Sequence, residues 1–212
     1  MSSTSRGLQA VQAVQVLRSL PVLRGRGFTL VELMVTMAIV AILMAAAAPS
    51  FIGMLRSAEL AAVANAFVSA LHAARSEGLK RNLPALVTPL DEAPADWTRG
   101  FVAFVDVNWN AHYDEGVDIL VLKRPITGRF LSIGGTGSAR SSAPYVRYDG
   151  SGFARRADGG AGNLTFHIFR NDVPETEVIS QTRRVIIANT GRVRLCTPTS
   201  ATDRRCGGGT DD

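Results

Sequence analysis

Residues 26–48 read RGFTLVELMVTMAIVAILMAAAA. From Phe28 to Ala48 only Thr29, Glu32 and Thr36 are not apolar. As a helix this run spans about 30 Å at 1.5 Å per residue, the thickness of a bilayer's hydrocarbon core. A secretory signal has a shorter apolar stretch and ends on a small-residue cleavage site, which Ala45–Ala48 ahead of Pro49 imitates. The length of the run and the carboxylate inside it point instead to a retained segment. An ionised side chain at the bilayer centre costs about 2.5–3.5 kcal/mol, so Glu32 demands a partner. Cutting between Gly27 and Phe28 creates one, an α-amino group four residues ahead of Glu32. In a filament, the amine of one subunit meets Glu32 of its neighbour within an apolar bundle. An unmatched charge is costly there and a matched pair sets axial register.

Working outward on the N-terminal side, residues 1–27 contain no acid and carry Arg6, Arg18, Arg24 and Arg26. By the positive-inside rule these arginines hold this end in the cytoplasm and send the C-terminal part across the membrane.

On the C-terminal side the pattern turns amphipathic. Leu55, Val63, Phe67, Leu71 and Ala74 recur at helical spacings while Arg56, Glu59, Asn65 and Arg75 fall mostly elsewhere. The spacing predicts a helix continuing to about Arg81, with Leu83-Pro84 beginning the non-helical part. Short apolar runs then alternate with turn residues: 101–107, 117–122, 145–148, 164–169, 176–179, 184–188 and 193–196. This is the pattern of an antiparallel sheet domain. Asn189-Thr190-Gly191 reads as a three-residue hairpin loop in which Gly191 supplies positive φ, and the Gly-rich stretch from Ile133 to Ala143 reads as a flexible loop. The expected fold is α+β, a long N-terminal helix packed on an antiparallel β-rich head. Its parts are a leader (1–27), a transmembrane and assembly helix (28–48), an amphipathic helix (49–82) and the head (83–212).

The formal charge is +5, which admits acidic partners without identifying one. Cys196 and Cys206 have no second Cys pair or His cluster to complete a zinc site. Outside the cytoplasm such a pair closes a disulfide loop, worth roughly 3 kcal/mol in the chain-entropy picture; the alternative is two free thiols. Asp106, Asn108, Asn110, Asp114 and Asp118 stand in a calcium-loop-like order. Ala111 occupies the turn-glycine position and Val117 the twelfth, however, and Asn and Asp also serve any hairpin loop. His72, His112 and His167 are scattered, with no spacing that links them to a nucleophile. No catalytic, cofactor or metal site is therefore expected. The C-terminal arginines carry more information. Arg183, Arg184, Arg192, Arg194, Arg204 and Arg205 face a single acid in that stretch, Asp203. Strand alternation after Gly191 places Arg192 and Arg194 on one face, about 7 Å apart, and Val193 and Leu195 toward the core. That spacing suits successive backbone phosphates, read without regard to base sequence; the bland alternative is a solvated strand face.

Arg26-Gly27-Phe28-Thr29-Leu30-Val31-Glu32 resembles the class III signal of type IV pilins and type II secretion pseudopilins. The resemblance implies cleavage after Gly27 by a prepilin peptidase, N-methylation of Phe28, and Glu32 as the register glutamate. It implies a bacterial inner-membrane subunit with a periplasmic head, assembled with other pilins into a filament. A leader of 27 residues is long for this family, so either the leader is extended or translation starts near Val16 or Val22. The stretch Trp97 to Asp106 with Asn108 and Asn110 looks like the first hairpin of the GspH/FimT group of minor pilins, and Ile187 to Leu195 like its last. Gly191-Arg192-Val193-Arg194 is similar to the Gly-Arg-x-Arg element of FimT-type pilins that bind double-stranded DNA in natural transformation. Two functions are thereby expected as alternatives, DNA capture and a purely structural role in a type II secretion filament.

Overall fold

The computed structural model describes residues 27–91 and 96–206. The leader arginines and the last six residues, 207–212, lie outside these. The chain divides into two compact units, residues 1–49 and 50–212.

One helical assignment, α1 (Leu30–Arg81), serves both units. Its start is set by Thr29, whose hydroxyl accepts from the Glu32 amide at 3.1 Å, while its carbonyl accepts from Leu33. This is the side-chain cap that the first turn of a helix requires. No residue of the apolar window Leu30–Ala47 is buried within the chain. A run that is hydrophobic all round and unburied belongs in lipid or against other helices. The other end of α1 closes with Asn82 in the left-handed region (φ 52°) and the Leu83 amide reaching back to the Gly78 carbonyl at 3.1 Å. These two features stop the helix at its expected boundary.

In the second unit, Leu60, Val63, Ala64, Phe67, Ala70, Leu71 and Ala74 form the buried stripe of the helix. Leu55, expected on that stripe, is 54% exposed instead. The head is two four-stranded antiparallel sheets. The first has the order β3 (Ile119–Pro125), β2 (Gly100–Val105), β1 (Ala85–Pro89), β5 (Val146–Tyr148). The second has the order β4 (Leu131–Gly135), β6 (Leu164–Arg170), β7 (Thr182–Ile187), β8 (Val193–Cys196). Phe67 is the hub between the helix and both sheets. Its ring meets Phe101 of β2 at 5.0 Å, Phe166 of β6 at 4.7 Å and Trp97 at 5.8 Å, all edge-on, the arrangement that aromatic quadrupoles favour.

Three sequence expectations are corrected. Residues 176–179 alternate like a strand, but Glu175–Val178 is a single helical turn, α2. Pro174 precedes it with its fixed φ, and Glu175 and Glu177 sit in its first turn, where the helix dipole favours anions. The Gly-rich stretch from Ile133 to Ala143 is not a loop throughout. It opens as the end of β4 and continues as a 3-10 turn, Gly137–Arg140. Gly135 is needed because a β-carbon there would stand 2.5 Å from that of Ala139. Finally, Ala85–Pro89 is a strand, β1, although the expected apolar runs began only at residue 101.

Candidate functional site

The N-terminal element comes first in the chain. Gly27 and Phe28 precede the helix and are exposed, Phe28 at 81%. Glu32 lies in the first turn of α1, exposed, with its backbone amide held by Thr29. The Thr-x-x-Glu spacing of a capping box thus coincides with the boundary of the apolar run.

The second feature is built on the β7–β8 hairpin. The Gly191 amide donates to the Ala188 carbonyl at 2.8 Å, and the Ala188 amide to the Arg192 carbonyl at 3.0 Å. The turn therefore contains the three expected residues, with Gly191 at φ 78°. Positive φ is only half of the reason for glycine here. A β-carbon on Gly191 would stand 2.0 Å from the Gly152 carbonyl oxygen and 2.6 Å from Arg75 Nε. The Arg75 guanidinium, projecting from α1, donates to the Gly152 carbonyl (2.8 Å) and the Thr190 carbonyl (3.0 Å). One helical arginine thus clamps two turns together immediately before Arg192.

Among the described residues β8 is the outer strand of its sheet and pairs with β7 alone, Arg194 opposite Ile186 and Cys196 opposite Arg184. Arg192 and Arg194 are exposed, while Val193 and Leu195 are partly buried and pack on the core. Among the described residues no carboxylate pairs with either arginine. Cys196 is bonded to Cys206. The segment between them exposes Arg204 and Arg205. Asp203, the one acid of the stretch, is occupied by that segment: it accepts from the Thr199 amide and hydroxyl and from the Arg205 amide. The amide and then the hydroxyl of Thr199 hold its carboxyl below the usual carboxylate range. It stays charged, yet its bonds go to backbone and hydroxyl rather than to a guanidinium.

Arg184 departs from expectation. It is 8% exposed, its Nη1 donating to the Cys206 carbonyl (3.2 Å) and its Nη2 to the Ala201 carbonyl (3.0 Å). Its Nε is buried without a hydrogen-bond partner. This arginine anchors the disulfide segment onto the sheet and is not presented to solvent. Arg183 is half-buried, and its Nη1 is engaged by the Ser180 and Thr182 carbonyls. The exposed set is therefore Arg192, Arg194, Arg204 and Arg205.

The acidic hairpin loop serves the backbone. Asp106 accepts from the amides of Asn110 and Ala111, Asp118 from those of Val107 and Asp114, and Asp114 from the side chains of Asn108 and Asn110. Among the described residues no group of three or more His, Cys, Asp or Glu gathers in metal-binding geometry. His72 is exposed on α1, His112 is exposed in the loop, and His167 is half-buried on β6. Two contributors escaped the sequence reading: Arg75, seen only as a polar position on the helix, and the loop around Gly152. Their partners lie 77 and 115 residues away from Arg75 in sequence, and no local pattern announces such contacts.

Residues 63–205 match the family model described as type II transport protein GspH, and residues 23–48 match the prokaryotic N-terminal methylation motif. Among solved structures the chain is similar to the type IV minor pilin FimU of Pseudomonas aeruginosa. The identity is 19%, over 69% of this chain and 98% of that one, with a TM-score of 0.50. It is also similar to the minor pseudopilin EpsH of the Vibrio cholerae type 2 secretion system. There the identity is 17%, over 65% of this chain and 95% of that one, with a TM-score of 0.41. FimU supports the fold alone, a long helix followed by two antiparallel sheets. No curated protein matches the chain.

Proposed function

The chain belongs to the GspH family, a minor pilin or pseudopilin by family and motif, and from that premise we propose that it captures double-stranded DNA as part of a filament. In this reading a prepilin peptidase cleaves between Gly27 and Phe28 and methylates the new amine. The apolar helix first anchors the subunit in the inner membrane, with the head in the periplasm as the leader arginines direct. It then joins the filament, where the amine meets a neighbour's Glu32. An unburied apolar window, Leu30–Ala47, that carries Glu32 near its start supports this reading.

The observation that carries DNA capture is the exposure, without a carboxylate partner, of Arg194 on the edge strand β8 and of Arg192 immediately before it; extended backbone spaces such alternate residues about 7 Å apart. Arg204 and Arg205 extend the positive surface. Contacts of this kind go to phosphates and give sequence-independent, salt-sensitive binding. A titration of the detergent-solubilised full chain with duplex DNA at several salt concentrations tests it. Binding should weaken steeply with salt, and Arg192→Ala/Arg194→Ala should reduce the log–log slope by about two. Unchanged binding in the double variant rejects the site, and no binding at low salt rejects the function. The second reading, a purely structural subunit of a type II secretion filament, is favoured by the family match; it predicts that last outcome.

A further inference from the structure

The face that carries Arg194 continues across the whole second sheet, and strand register traces it. Arg194 stands opposite Ile186 of β7, and Ile186 opposite Thr165 of β6. Residues directly opposite one another share a face, as do residues two apart along a strand. Thr165, His167 and Phe169 therefore lie on the face of Arg194, and so does Gly134 of β4, opposite His167. The alternate positions, among them Phe166, Ile168 and Val185, are buried in the core. Arg184, opposite His167, is on the outer face too, and its bonds to the Ala201 and Cys206 carbonyls lay the disulfide segment against that face. At the β4 end, Gly134, His167 and Phe169 line a cleft together with Arg140 and Asp96. Arg140 is thus at the opposite margin of the surface that begins with Arg194.

Arg140 is exposed, and among the described residues no carboxylate pairs with it. Its backbone is firmly held. It ends the 3-10 turn Gly137–Arg140, and Ala139 before it is buried. The Ala139 amide donates to the Thr136 carbonyl at 3.1 Å, and its carbonyl accepts from the Trp97 indole at 3.0 Å. Thr136 is tied to β6 in turn: its amide donates to the Thr165 carbonyl (3.0 Å) and its hydroxyl accepts from the Thr165 amide (2.9 Å). Asp96, the acid of the cleft, is engaged by the Thr98 amide at 2.8 Å and by the Thr98 hydroxyl.

We propose that the outer face of the second sheet is the surface that receives duplex DNA, and that Arg140 is a phosphate contact at its far margin. The proposal rests on the DNA-binding reading above and adds to it the extent of the surface and a residue outside the C-terminal cluster. Three strand spacings separate β8 from β4, about 14 Å. The major groove of a duplex is about 12 Å wide, so cations at the two margins are spaced to meet the backbones on either side of one groove. Between them, in the row of Arg194, stand Ile186 and Thr165, side chains too short to reach base edges in a groove. Binding by the margins alone is indifferent to sequence, as phosphate contacts are.

Fluorescence anisotropy of the detergent-solubilised full chain with a mixed-sequence duplex, at several salt concentrations, tests this. Arg140→Ala should lower the log–log salt slope by about one, the release belonging to one phosphate contact, and should leave the melting temperature unchanged. Added to Arg192→Ala/Arg194→Ala it should bring the total fall to about three. Arg140→Lys keeps the charge at the same place and should keep the slope. Lys123→Ala is the control for a diffuse effect of net charge, since Lys123 is an exposed cation on β3 of the other sheet; it should leave the slope unchanged. An unchanged slope in Arg140→Ala overturns the proposal, as does an equal fall in Lys123→Ala or in Arg140→Lys. In each of these cases a slope that still depends on Arg192 and Arg194 leaves the underlying DNA reading standing. No binding of the parent chain at low salt overturns both.

Discussion

Arg75 Nη2 donates to the Thr190 carbonyl at 3.0 Å, linking the amphipathic helix to the turn that opens the exposed arginine strand. The same guanidinium holds Gly152, and Gly191 fits between them only because it lacks a side chain. Gly191→Ala must adopt φ near 78° and push the Gly152 carbonyl away. The left-handed conformation alone costs about 1–2 kcal/mol, and the displaced clamp adds to it. Thermal melting should fall by several degrees, and DNA affinity should fall with it even though every arginine is retained. Arg75→Ala should reproduce the loss of affinity by releasing the same turn.

Arg184 and Arg192 belong to one basic cluster in sequence and do different work in the fold. Arg184 supports the Cys196–Cys206 segment through the Ala201 and Cys206 carbonyls. Arg184→Ala removes both bonds and strands the buried Cys206 carbonyl, a loss of about 1–3 kcal/mol. Arg192→Ala, at an exposed position just before β8, should leave stability within about 0.5 kcal/mol of the parent. Urea denaturation of both variants checks this. In the DNA titration the order reverses, Arg192→Ala lowering the salt slope and Arg184→Ala leaving the slope of the folded fraction unchanged.

Asp172 joins the loop after β6 to the helix. Hydrogen bonds from the Arg170 guanidinium, and secondarily from Arg56, outweigh its partial burial and hold its carboxyl at about 2. Arg170 in turn donates to Gly53 and Ser57 of α1. The unfolded carboxyl titrates near 3.9, so the folded state binds its proton less readily. The stabilisation is complete above about pH 4–5 and disappears as the pH falls toward 2. Its size is on the order of 1–2 kcal/mol after allowing for solvent screening. Asp172→Asn should therefore lower stability at pH 7 and bring variant and parent together near pH 2. A constant difference across that range would assign the effect to packing instead of charge.

The sequence was legible where one local pattern had one physical cause. The run from Phe28 to Ala48, the helix end before Leu83-Pro84 and the alternation of Arg192 and Arg194 are of that kind. Leu55 was misplaced because spacing shows which residues share a face and not where along the helix the head begins to cover it. β4 was hidden by Gly134 and Gly135, which look like loop until the approach of Ala139 explains one of them. Residues 176–179 carried a two-residue alternation too short to separate a strand from a helical turn. Arg184 was grouped with the exposed arginines because only the folded disulfide segment shows which face of β7 is covered. The clamp by Arg75 depends on contacts with distant segments, which no window of sequence contains.

Glu32 offers the sharpest test of assembly. Its backbone amide caps onto Thr29, so the residue has a structural place in the first turn of α1 irrespective of its charge. Replacing it with leucine makes the apolar run more continuous, and insertion into the membrane should be as efficient or better. Within a filament, the amine on Phe28 of the neighbouring subunit would then face an apolar bundle with no counter-charge, a loss of about 3 kcal/mol or more for an unpaired buried ion. Glu32→Leu should thus appear in the membrane fraction at normal levels and resist alkaline extraction, with incorporation into sheared filaments falling at least about ten-fold. Glu32→Gln keeps the size and a hydrogen-bond acceptor but not the charge. It should fall between the two if charge pairing sets the register. Normal incorporation of either variant would show that the glutamate is tolerated in this run for some reason other than the amine.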